Sequence, residues 1–199
     1  RDIAWGRWRQ KSRVVPMWLE RASHYADELI ENQGAGEIYR LWVAQQALLA
    51  LAGFQPAMAP AHWVKTAERA AKVVADESAD PLWKELKHWQ LGMVYFHAVQ
   101  IEHVRSQFKN GLKYGQLALK HLERGAKHRD LTSEEEHIAG RLLFQIGALH
   151  AVHRQDHDKA VDWFEKAAPA LVRPLPISTV TDPRRHGDAL VSMGVTYWE

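Results

Sequence analysis

The chain contains no cysteine among its 199 residues. Disulfides, zinc–thiolate sites and cysteine nucleophiles are therefore excluded. A dominant charge is also missing: 26 Lys and Arg against 24 Asp and Glu leave a net charge of +2. So balanced a chain offers no argument for nucleic acid or an anionic membrane surface as partner. Long apolar runs are absent. The longest, Ala47 to Phe54, falls well short of the roughly 20 residues a spanning helix needs, so no membrane insertion is expected. Strand signals are nearly absent too. The one β-like stretch, Pro176 to Thr181, sits in a proline-bounded linker over 173–182, which reads as a loop. There is no Gly-rich phosphate loop, no paired metal-ligand helix motif and no nucleophile elbow. The expectation is a non-enzymatic chain with no cofactor and no metal. No targeting address is legible, so a cytoplasmic location is only the default.

Nine Trp and twelve His are present. Tryptophans at helical spacing most often fill gaps between helices. Helix starts are well marked. Asp80-Pro81 and Asp182-Pro183 each pair a capping carboxylate with a proline at the first helical position, and Ala59-Pro60 is a weaker start of the same type. Thr132-Ser133-Glu134-Glu135-Glu136 holds two overlapping capping boxes. Gly34, Gly36, Gly53 and Gly125 mark stops. Helices are expected at about 17–33, 37–53, 60–77, 81–108, 110–124, 133–154, 156–172 and 183–199. They form pairs over 37–77, 81–124 and 133–172, with a half-repeat at 183–199. Residues 1–16 read as a basic, aromatic arm or linker carrying Trp5 and Trp8, ahead of a single helical domain over 17–199. A start at Arg1 and an end just after Tyr197 read as cuts inside a longer protein.

One short pattern recurs on these helices: Leu91-Gly92-x-x-Tyr95, Ile146-Gly147-x-x-His150 and Met193-Gly194-x-x-Tyr197. Two copies are followed by a helix with small or aromatic residues four and then three apart: Gly111, Gly115, Ala118, and Ala160, Phe164, Ala167. A large apolar residue, a glycine and a ring let two helices approach closely. With Leu143 and Leu190 added, these positions resemble the tetratricopeptide repeat family, most clearly over the 133–172 pair. The resemblance implies an all-α, right-handed solenoid of antiparallel helix pairs that holds a protein or peptide partner in an inner groove. The glycines at 92, 147 and 194 lie 55 and 47 positions apart, against about 34 in the family, so elongated repeats are expected. One branch of the family clamps a terminal carboxylate with Lys, Arg and Asn. The matching faces here carry Trp89, Met93, Phe144, Ala148, Val191 and Val195, which argues against that use.

Helix 81–108 carries two apolar stripes on nearly opposite faces. One is His88, Leu91, Tyr95, Ala98; the other is Leu82, Leu86, Trp89, Met93, Phe96. Either both faces pack on neighbouring helices, or the second lines a groove. The groove candidates are Leu86, Trp89, Met93, Phe96 and Phe144, suited to an apolar peptide or helix. His150, His153 and His157 would share one face if their helix continued, but Gln155-Asp156 reads as the turn that separates them. The alternative to a scaffold is a structural spacer, or a regulatory array beside a catalytic or sensor domain outside this chain.

Overall fold

The computed structural model describes residues 15–33, 36–54, 58–77, 81–128 and 131–173, together with 187, 190, 191 and 194. Among the described residues the chain is all-helical, without a strand. The helices are α1 (Val15–Gln33), α2 (Ile38–Phe54), α3 (Ala61–Glu77), α4 (Pro81–Val104), α5 (Phe108–Gly125), α6 (Ser133–Arg154) and α7 (His157–Leu171). A short 3₁₀ turn, Ala126–His128, follows α5. None of these helices is long and apolar enough to cross a membrane. Gly187, Leu190, Val191 and Gly194 are helical. The rest of the expected 183–199 helix, with Met193 and Tyr197, lies outside the described residues, as does the 1–14 part of the expected arm.

Local chemistry accounts for most helix ends. Pro81 opens α4, where its missing N–H costs nothing. Thr132 caps α6: its hydroxyl accepts from the Glu135 N–H at 3.3 Å, and its own N–H donates to the Glu135 carboxylate at 2.9 Å. Of the two overlapping boxes only this one forms across Thr132 and Glu135, and Glu136 pairs instead with Arg173 beyond α7. Asp156 caps α7 by accepting from the Lys159 N–H and also pairs with its ammonium at 2.7 Å.

Helix α4 ends at Val104, four residues before the expected 108. Ser106 turns left-handed with φ 56°. The Gln107 N–H then donates to Glu102 and the Ser106 N–H to His103, which closes a Schellman cap. Gln155, with φ 52°, ends α6 in the same sense. His157 therefore begins α7 and is not on the face of His150 and His153.

Packing follows chain order. Each helix lies against the next, the α4/α5 and α6/α7 pairs most extensively, and α2 also touches α4, as α4 touches α6. Helix α2 is apolar nearly all round, and Leu41, Ala44, Leu48 and Leu51 are buried among α1, α3 and α4. Burying each such leucine contributes about 1.5–3 kcal/mol. The main cluster continues through Val64 and Ala67, Val94, Val99 and Ile101, then Leu142, Ile146 and Leu149. A second, smaller cluster is built on α7 from Ala160, Phe164, Ala167 and Leu171, with Leu143, Phe144 and Leu190 against it.

Both complete copies of the glycine pattern sit at close helix crossings. A Cβ on Gly92 would lie 2.4 Å from the Leu122 side chain and 3.3 Å from its backbone nitrogen on α5. A Cβ on Gly147 would lie 2.5 Å from the Phe164 ring and 3.1 Å from the Ala160 carbonyl on α7. Gly111 and Gly115 press on the next pair instead, against Leu149 and Ile146 of α6.

Candidate functional site

Helix α4 is the centre of the molecule, in contact with α2, α3, α5 and α6. That position decides the fate of its two stripes. Leu91, Tyr95 and Ala98 on the first are buried. On the second, Phe96 is only 3% exposed and the Arg141 guanidinium lies 5.9 Å over its ring. Phe96 is therefore buried in the core cluster, which leaves it no open surface for the expected groove. Trp89 and Met93 are half-buried against the same core. Phe144 is half-buried on α6 and stacks on Phe164 at 5.2 Å. The side chain of Leu86 lies outside the described residues. The partly open part of the expected groove thus reduces to Trp89 and Met93, with Phe144 on the neighbouring helix.

The other stripe builds a site that its spacing did not announce. Four rings run between α4 and α5. Tyr114 stacks on Tyr95 at 6.1 Å, Tyr95 faces His121 at 5.6 Å, and His121 faces His88 at 5.2 Å. The Nδ1 atoms of His88 and His121 are 3.0 Å apart, so the two imidazoles share one proton. The Tyr95 hydroxyl donates to Glu68 on α3 at 2.7 Å. Burial, followed by that carboxylate, holds the Tyr95 phenol above its ordinary range. The His pair opens into a cleft of about 460 Å³ between α3, α4 and α5, lined also by Lys65, Glu68, Arg69, Lys72, Lys87 and Leu91.

Burial first, then His88, then Arg124, Lys120 and Lys87, push the His121 pKa down to about 4. A second imidazole group lies where α4, α5 and α6 meet. His103 packs edge-on against His153 at 5.1 Å, and His150 edge-on against Phe108 at 5.5 Å. Burial lowers the pKa of both His103 and His150, and His153 adds to the shift at His103. Among the described residues no group of three or more His, Asp or Glu is arranged to hold a metal ion.

These depressions have a testable consequence. Each of the three histidines binds its proton less readily folded than unfolded. Their contribution is therefore complete above pH 6.5 and is lost as pH falls below it, towards about 4 for His121. Buried Glu102 works the other way. Burial raises its pKa despite Arg105 at 3.0 Å, so its contribution is lost as pH rises. With three groups against one, stability is expected to fall across this acid window. Urea unfolding should show a shallower fall in His121→Gln, which cannot take up a proton. An unchanged slope in that variant would mean His121 is not the group responsible.

Comparison with known proteins returned no matching family model, no matching curated protein and no matching solved structure.

Proposed function

We propose that this chain is a non-enzymatic protein-interaction scaffold, built as an array of antiparallel helix pairs similar to tetratricopeptide repeats. The observation that carries the reading is the repetition of one joint. Gly92 seats Leu122 in the α4/α5 pair, and Gly147 seats Phe164 in the α6/α7 pair. Contacts of α2 with α4 and of α4 with α6 fit stacked pairs, in which each unit buries what it cannot bury alone. The longer helices, 24 residues in α4 and 22 in α6, accord with elongated repeats. Trp89 and Met93, half-buried on α4, are the apolar surface offered to a partner peptide or helix, and Phe144 on α6 is a further candidate.

The test is affinity capture from the native source with the wild-type chain and with Trp89→Ala/Met93→Ala, both confirmed helical by circular dichroism. A partner that is lost only in the double variant supports recognition at this stripe. A partner retained by both moves recognition elsewhere on the scaffold. The absence of any partner would favour a spacer that only positions flanking segments.

A further inference from the structure

Among the described residues, the cleft beside the His88–His121 pair is lined by four cationic side chains and one carboxylate. Lys65, Arg69 and Lys72 follow one another on a single face of α3 at spacings of four and three, and all three line the cleft. They are exposed and, among the described residues, have no carboxylate partner. The one carboxylate lining the cleft, Glu68, already accepts the Tyr95 hydroxyl. Lys87 lines the opposite wall on α4. On α5, Lys120 and Arg124 are close enough to act on His121. Among the described residues, the charged side chains that lower its pKa are Lys87, Lys120 and Arg124, which come from α4 and α5 alike. Like charges gathered at a concave surface repel one another, and an arrangement of this kind is relieved by a bound anion.

We propose that this cleft is a binding site for a phosphate monoester, held by Lys65, Arg69 and Lys72 at the rim with the two imidazoles at its floor. The proposal is independent of the scaffold reading. The charge of the ligand follows from the number of cations. Several lysines and arginines converge, which suits a group carrying about two negative charges and three acceptor oxygens better than a single carboxylate. Arg69 supplies a planar fork that can grip two oxygens, and the lysines add point charges. The shared proton lets the pair of imidazoles present one N–H donor while taking up a further proton once a dianion is in place. The volume of about 460 Å³ has room for more than the phosphate, and buried Leu91 and Ala71 give the ester portion an apolar wall.

The ester could belong to a free small molecule or to a phosphorylated side chain, and the experiment separates these sources. Free phosphoserine and a short phosphoserine peptide are titrated into the whole chain at low ionic strength. Calorimetry and imidazole NMR are the readouts. Saturable binding is expected, with the His121 midpoint rising from about 4 as the dianion offsets its cationic neighbours. Lys65→Gln/Arg69→Gln/Lys72→Gln should weaken binding about tenfold or more, equivalent to about 1.4 kcal/mol. These side chains are exposed, so the fold should survive, and the single variant Arg69→Gln should give a smaller loss in the same direction. A charge-matched control, Lys109→Gln/Lys113→Gln/Lys159→Gln, should bind as the wild type does. Peptide binding much tighter than phosphoserine identifies a phosphorylated chain as ligand, whereas equal binding identifies a small ester; either supports the site. The proposal is overturned by no saturation at millimolar phosphoserine, by equal loss in the control, by an unmoved His121 midpoint, or by a glutamate peptide that binds as tightly as the phosphopeptide.

Discussion

Phe164→Ala is expected to cost about 3–5 kcal/mol of unfolding free energy, the range for deleting a buried phenyl ring. Phe164 is 1% exposed and is the bulkiest of the side chains buried this completely. It is the only ring among the four buried residues of the α7 cluster, where its companions are Ala160, Ala167 and Leu171. Two alanines cannot collapse into the space it leaves. Its face also stacks on Phe144, and the pair is lost with it. A domain typically has about 5–15 kcal/mol in total, so this one change removes a large share. Urea unfolding monitored by circular dichroism provides the measurement. A loss below about 1 kcal/mol would show that the α6/α7 joint does not depend on the ring.

Gly147→Val approaches the same joint from the other side and should destabilise by about 3 kcal/mol, at the upper end of the usual overpacking range. The first added carbon would already sit 2.5 and 2.7 Å from two atoms of the Phe164 ring and 3.1 Å from the Ala160 carbonyl. The ring has nowhere to retreat, because Phe144 stacks on it at 5.2 Å. The carbonyl is backbone and moves only with the helix. Gly194 offers the contrast. It occupies the same place in the third copy of the pattern, and among the described residues nothing lies within 4 Å of its added Cβ. There a change to alanine should be neutral or gain up to about 1 kcal/mol from helix propensity. Combining Gly147→Val with Phe164→Ala should cost less than the two single changes added together, since the valine would enter the space left by the ring. Strict additivity in that double-mutant cycle would mean glycine and ring do not share one joint.

Helix positions were legible because the forces that set them are local. Thr132 with Glu135, Pro81, and the apolar spacing of α2 through α7 act over three or four residues, so expected and observed ends agree within a few residues for most helices. The exceptions are informative. Val104 ends α4 early because Ser106 takes a left-handed conformation, and a serine carries no such signal where a glycine would. The close approaches at Gly92 and Gly147 were also readable, since a glycine followed by a ring on an amphipathic helix has few other uses. Gly140 was missed, although it stands two turns before Gly147. A Cβ there would lie 2.7 Å from that of Ala170. The small residues Gly111 and Gly115 were read correctly as a contact face, but which neighbour they meet was not readable. They serve the following pair, against Leu149 and Ile146.

By itself the sequence determined that the chain is helical, where most helices begin and end, and that Gly92 and Gly147 sit at close helix crossings. These follow from periodicity, capping and steric size, all of which operate within a few residues of one another. Only the tertiary structure decided that Phe96 belongs to the core while Trp89 and Met93 stay partly open. One stripe carries all three, and exposure depends on which helix lies above each residue. The tertiary structure alone also brought His88 to His121, 33 residues away, and Tyr95 to Glu68, 27 residues away. No local rule links such pairs. They meet because α3 and α5 both pack on α4, and the polar groups left at that junction must find partners in each other or in a ligand.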